Sequence, residues 1–228
     1  MRDHMLWVEK YRPKTIEETI LPAELKATFQ QFVDQKNIPN LILSGSAGTG
    51  KTFLSMFLAL REVLEGKGPY KKVVIVRSIV PTRDIGFLPG DEQEKKEVYM
   101  LPYIDICQEL FGVRDAFERL FENGQIEFLT TSFIRGTTLN NCIIILDEIQ
   151  NCVFRELDTV ITRVGNNAKF IMCGDYYQSD FDKDKDKQGI VNFMKIVDSM
   201  NSFTHIEFQW PDIVRSDFVR DYIVTKET

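Results

Sequence analysis

The sequence predicts an α/β protein, a mostly parallel sheet with helices on both faces. Three observations predict it. Short runs rich in Val, Ile and Leu recur with little polar alternation, as strands covered on both faces require. Longer helical stretches separate these runs, the pattern of βαβ units. A glycine-rich loop joins the first run to the helical stretch that follows it. A chain of 228 residues suits one such domain and can bury a substantial core.

In chain order, Pro22 to Gln35 reads as a helix, with Leu25, Phe29, Phe32 and Val33 at helical spacing. The chain divides at Pro39, which sets an N-terminal cap segment, 1–39, apart from a main domain, 40–228. The strand-like runs are Leu41–Ser44, Val73–Arg77, Ile126–Thr130, Cys142–Leu146, Phe170–Cys173 and His205–Gln209. Helical stretches between them are Lys51–Leu64, Glu92–Leu110, Val113–Phe121, Phe154–Val164 and Ile190–Met200. The alternating charges of Asp182–Lys187 read as a solvated loop. Ser78 to Gly90, with Pro81, Gly86, Pro89 and Gly90, reads as a long loop leaving the carboxyl end of a strand, where α/β proteins carry function.

Composition excludes several classes. A net charge of -6 rules out a whole-domain basic footprint for nucleic acid and leaves only a local channel. No apolar run approaches bilayer length, and the opening Met-Arg-Asp-His holds no apolar signal core, so a cytoplasmic protein without membrane contact is expected. Cys107, Cys142, Cys152 and Cys173 show no C-x-x-C spacing; Cys142 and Cys173 read as buried, reduced thiols. His4 and His205 are unpaired in sequence and read as structural or surface residues.

Gly45-Ser46-Ala47-Gly48-Thr49-Gly50-Lys51-Thr52 fits G-x-x-x-x-G-K-[ST], and it sits where a strand ends and a helix begins. The glycines permit a tight path that turns backbone N–H groups toward an anion, and the helix N-terminus adds partial positive charge. Lys51 is placed to reach the β- and γ-phosphates of ATP, and Thr52 to ligate Mg²⁺ through its hydroxyl. Ile143 to Leu146 form an apolar strand ending at Asp147-Glu148. Asp147 is placed to hold Mg²⁺ and Glu148 to activate the attacking water. Another run ends in Gly174-Asp175-Tyr176-Tyr177-Gln178, where Gln178 is the candidate contact to the γ-phosphate or the lytic water. An arginine that stabilises transition-state charge would come from Arg135, Arg163, Arg215 or Arg220.

Together these residues resemble the PhoH family of ATPases from about Leu41 to Val219. The resemblance is carried by the P-loop and by Val76-Arg77-Ser78, Gly86-Phe-Leu-Pro-Gly-Asp91, Phe133-Ile-Arg-Gly-Thr-Thr-Leu-Asn140, Ile145-Leu-Asp-Glu-Ile-Gln150, Thr162-Arg163-Val-Gly165, Gly174-Asp175-x-x-Gln178 and Asp212-Ile-Val-Arg215. It implies a RecA-like P-loop NTPase core, similar to the first motor domain of superfamily-one helicases. It further implies ATP hydrolysis linked to single-stranded RNA or DNA, with Gln178 sensing the γ-phosphate. Arg215 becomes the leading arginine-finger candidate; acting in trans, it would require a homo-oligomer, a ring. A chain of this length is expected to carry neither a second motor domain nor an appended nuclease.

The segment Trp7-Val-Glu-Lys-Tyr-Arg-Pro-Lys-Thr15, with Ile20-Leu-Pro22, looks like the opening of AAA+ clamp-loader small subunits. That likeness covers Leu6 to Thr52 and implies that Tyr11, Arg12 and Pro13 pack over the adenine. The pairing of the two signatures implies a bacteriophage source and an infected-cell cytoplasm. An AAA+ clamp-loader-like, ATP-driven interaction switch is the alternative function. A P-loop kinase is disfavoured because neither a small-substrate pocket nor an arginine-rich lid is evident. No aromatic–basic cluster stands out in the linear sequence. Arg77, Arg83, Lys95 and Lys96 flank the Gly86–Asp91 loop and are the candidate contacts to a polymer.

Overall fold

The computed structural model describes residues 16, 23–35, 38–78, 92–175 and 184–228, with side chains from 96 and from 189 onward in the last two segments. Six strands form one sheet: β1 Asn40–Gly45, β2 Lys72–Arg77, β3 Ile126–Thr130, β4 Cys142–Asp147, β5 Lys169–Gly174 and β6 Phe203–Phe208. Their order is β3-β2-β4-β5-β1-β6, and every pairing is parallel. One strand, β5, separates the P-loop strand β1 from the acid-bearing strand β4, which is the RecA-like arrangement.

Burial follows position in the sheet. Every residue of β4 is buried, and so are the inner residues of β1, β2 and β5. The edge strand β3 alternates buried with half-buried residues. The two-residue period of the strands divides their side chains between two apolar layers. Leu41, Leu43, Val73, Ile75, Ile143, Ile145 and Ile171 face one layer. It is completed by α1 Ala23–Gln35, α2 Lys51–Glu65, α3 Glu92–Phe111 and α4 Ala116–Glu122. Ile42, Val74, Val76, Ile144, Leu146 and Met172 face the other, under α5 Phe154–Ile161 and α6 Asp184–Asp198. Phe29 and Phe32 of α1, with Ile16, belong to the first layer, so the helix before Pro39 shares the core of the sheet.

Two differences from the sequence reading have plain causes. The charge run is not all loop: α6 begins at Asp184. Ile190, Phe193, Met194 and Val197 form the buried stripe of that helix. A last helix, α7 Asp217–Glu227, escapes the periodicity reading because it buries no residue. All four cysteines are buried free thiols, and burial raises Cys142 to about 11 and Cys107 to about 12. His205 shares a 2.8 Å hydrogen bond with Ser44 and so serves the sheet.

Candidate active site

Parallel strands bring their carboxyl ends to one edge, and the site is built there. The P-loop leaves β1 and runs into α2. Gly48 has φ 79°, and a Cβ at that position would lie 2.8 Å from Cγ of Arg215. Glycine is therefore demanded both by conformation and by contact. Lys51 is buried, and its ammonium donates to the carbonyls of Gly45 and Ser46, each at 2.7 Å, and to Oγ1 of Thr49 at 3.0 Å. Burial lowers the pKa of Lys51, opposed chiefly by the charge of Asp175 and further by Glu148 and Asp147.

Thr52 and Asp147 meet across 95 residues of sequence: the Thr52 hydroxyl donates to Oδ1 of Asp147 at 3.0 Å. The other oxygen of Asp147 accepts from the hydroxyl of Tyr103 at 2.8 Å. Tyr103 lies on α3 and is fully buried. Arg77 ends β2 beside Asp147 in the sheet register, with its guanidinium 5.5 Å from the Tyr99 ring centre. Burial works against the charge of Arg77, but Tyr103, Asp147 and Glu148 outweigh it and raise the pKa. Arg77 thus lies beside the acids.

Glu148 follows β4 with φ 55° and ψ 49°, a left-handed conformation that costs a non-glycine residue about 1–3 kcal/mol. Burial raises its pKa, and the neighbouring charge of Asp147 adds to the effect; Arg77, Gln150 and Lys51 oppose it. The side-chain amide of Gln150 donates to Oε2 of Glu148, and its carbonyl accepts the Asp175 backbone N–H at 3.0 Å. Gln150 therefore bridges the ends of β4 and β5. Gly174 makes room for it, since a Cβ there would stand 2.4 Å from Oε1 of Gln150.

The chain returns to the P-loop at its C-terminal end. The Val214 backbone N–H donates to the Gly48 carbonyl at 3.0 Å, which places Arg215 against its own P-loop. The Glu227 carboxylate accepts from the Ser46 hydroxyl at 2.7 Å and from the Trp210 indole N–H at 2.8 Å. Arg135 and Arg220 are exposed and Arg163 is half-buried. Gln178, the segment Tyr11, Arg12 and Pro13, the Gly86–Asp91 loop, Arg83 and the Lys95 side chain lie outside the described residues.

Sequence reasoning did not assign roles to Tyr103, Gln150, Trp210 or Glu227. Gln150 carried a signal, because it stands two residues after Glu148 in the same motif. Tyr103 carried none, because 44 residues separate it from Asp147.

The PhoH-like protein family profile matches residues 24–226. The chain belongs to the PhoH-like family. Among curated relatives it is 35% identical to a PhoH-like protein of Bacillus subtilis, over 78% of this chain and 55% of that one. It is 36% identical to protein PhoH2 of Bacillus subtilis, over 78% of this chain and 39% of the relative. It is 33% identical to a PhoH-like protein of Synechocystis sp., over 80% of this chain and 55% of the relative. The chain therefore spans about half the length, or less, of the relatives it matches. The Sulfolobus solfataricus SWI2/SNF2 ATPase core in complex with dsDNA aligns at TM-score 0.47 and 11% identity, over 83% of this chain and 45% of that one. The PhoH-like profile begins after Pro22, so the N-terminal part of the clamp-loader likeness lies outside it.

Proposed function

We propose that this PhoH-like chain hydrolyses ATP with Mg²⁺ and that single-stranded RNA or DNA governs its turnover. The observation that carries the reading is the junction of Thr52 with Asp147 at the base of the P-loop, with Glu148 next in sequence. A hydroxyl and a carboxylate are the hard oxygen donors that Mg²⁺ takes. Among the described residues no group of three or more His, Cys, Asp or Glu converges on one point. That suits an ion held by one or two protein oxygens with phosphate and water completing the shell. Held by Thr52 and Asp147, Mg²⁺ would offset the charge of the bound phosphates.

The protein groups then have distinct roles. Backbone N–H groups from Gly48 to Thr52 cradle the phosphates at the start of α2. Lys51 exchanges its two carbonyl partners for phosphate oxygens. Glu148 accepts the proton of the attacking water, and Gln150 orients its carboxylate. Arg215 offers positive charge beside Gly48 of its own chain. A ring would bring Arg135, Arg163 or Arg220 of one copy to the site of another; light scattering that finds a fully active monomer removes the ring. Gln178 as γ-phosphate sensor, and Tyr11, Arg12 and Pro13 over the adenine, complete the proposal, as does a cytoplasmic location. Among the described residues no helix is long and apolar enough to cross a membrane.

The test is steady-state phosphate release from Mg-ATP with and without single-stranded RNA and DNA. Stimulation by either polymer supports the reading. Hydrolysis indifferent to both removes the nucleic-acid link, and absence of hydrolysis removes the enzyme.

Tyr103 gives a sharper prediction about metal. Tyr103→Phe removes the donor that holds Asp147 without removing the ring from the core. Groups that orient a metal ligand typically contribute about 10–100-fold to affinity. Manganese affinity of the protein with a non-hydrolysable ATP analogue, read by electron paramagnetic resonance, is expected to fall about tenfold. The analogue's own affinity without metal should stay unchanged. An unaltered manganese affinity means that Tyr103 only packs.

A further inference from the structure

The loop between β3 and β4 is held firmly but presents one aromatic ring to solvent. Its start is tied down by Glu156, whose Oε1 accepts from the hydroxyls of Ser78, at 2.9 Å, and Thr131. Its other carboxylate oxygen accepts the Val153 N–H at 2.9 Å, so the anchor is itself fixed at the start of α5. Ile134 is wholly buried, and the Phe133 N–H donates to the Thr130 carbonyl at 3.0 Å. Phe133, between these anchors, remains 47% exposed. The ammonium of Lys96 lies 4.3 Å from its ring centre. Arg135, two residues further on, is exposed. A cation thus meets a half-exposed aromatic ring, with a second cation two residues along the same loop, in a chain whose net charge is -6. Folding assembles the aromatic–basic cluster that the linear sequence does not show.

We propose that Phe133, Lys96 and Arg135 form a binding site for single-stranded nucleic acid. One base stacks on the open part of the Phe133 ring, and the flanking phosphates meet Lys96 and Arg135. The proposal rests on the nucleic-acid link stated above and gives it a place. Base–aromatic stacking tolerates any base, and a preformed exposed ring loses little entropy on binding. The site lies at the same sheet edge as the P-loop. Four strand spacings separate β3 from β1 in the sheet order, about 19 Å at the usual inter-strand distance. Helix α3 links Phe133 to Asp147, the carboxylate that meets Thr52 of the P-loop. Lys96, Tyr99 and Tyr103 fall on one face of it, at i, i+3 and i+7. They touch Phe133, Arg77 and Asp147 respectively. A strand that engages Lys96 therefore acts on the helix that holds Asp147.

The experiment measures fluorescence anisotropy of labelled oligo(U) and oligo(dT) with the whole chain, together with unstimulated and stimulated phosphate release. Phe133→Ala is expected to weaken binding about tenfold or more. Phe133→Trp should restore it and Phe133→Leu should not. Lys96→Ala with Arg135→Ala should lower the slope of log affinity against log salt by about 1.4, or about 0.7 for each phosphate no longer neutralised. Unstimulated phosphate release should remain at the parent level in the Phe133 variants. The two oligonucleotides decide between RNA and DNA. Parent-level binding by Phe133→Ala overturns the site. So does a parent protein that hydrolyses ATP and binds neither strand, an outcome that leaves the ATPase reading standing. A fall in unstimulated hydrolysis in Phe133→Ala assigns the ring to the fold and also overturns the site. A parent protein that binds a strand and hydrolyses nothing keeps the site and removes the enzyme.

Discussion

Glu148→Gln is expected to bind ATP as the parent does and to release phosphate at least about a hundredfold more slowly. The amide keeps the volume of the carboxylate and can still bond to Gln150, so the turn after β4 is preserved. What it loses is the capacity to accept a proton, a contribution of about 10²–10⁴-fold in general-base steps. The parent should show the same group in its pH profile. Burial, reinforced by the charge of Asp147, raises Glu148 above the ordinary 4.5. A base is active only when deprotonated, so kcat/KM should fall as pH drops through a midpoint above that value. The acid limb should vanish from the residual activity of Glu148→Gln. Equilibrium binding of a fluorescent ATP analogue and phosphate release from pH 4.5 upward check both statements. Parent-like turnover in the variant, or an unchanged acid limb, removes Glu148 from the reaction.

Lys51→Ala should cost affinity instead. In the structure the ammonium donates to the carbonyls of Gly45 and Ser46, which keeps the charge inside the loop. Bound phosphate offers a full negative charge to a partly desolvated cation, and such charge-assisted bonds are about twice as strong as neutral ones. Its loss should weaken ATP binding about a hundredfold or more, read by isothermal titration calorimetry with Mg-ATP. The fold should survive, because the cost of burying the ammonium disappears along with its hydrogen bonds. Circular dichroism checks that the helices persist. An unchanged affinity in a folded variant sinks the P-loop as the phosphate site.

Much of this site was legible residue by residue. The spacing of Gly45 to Thr52 marks the candidate phosphate loop because the chemistry is local, with backbone N–H groups, one ammonium and one hydroxyl within eight residues. Asp147 was legible because burying a carboxylate at the end of an apolar strand is costly unless a cation or hydrogen-bond donors meet it there. The two layers of the core were legible because strand residues alternate between faces with a fixed period of two. Helix α7 was not, since periodicity reports burial and this helix buries nothing.

By itself, therefore, the sequence determined the α/β class, the PhoH-like motifs and the residues that can meet a phosphate and a metal. Those features depend on spacings of a few residues, which the chain carries whether folded or not. Tertiary structure alone decided that Tyr103 braces Asp147, that Arg77 lies beside it in the sheet, that Gln150 links Glu148 to β5, and that Arg215 stands against Gly48 of its own chain. It also decided that Lys96 reaches Phe133. Each of these pairs joins elements whose adjacency follows from strand order and helix placement. That adjacency is set by the packing of the whole core, and no local pattern records it.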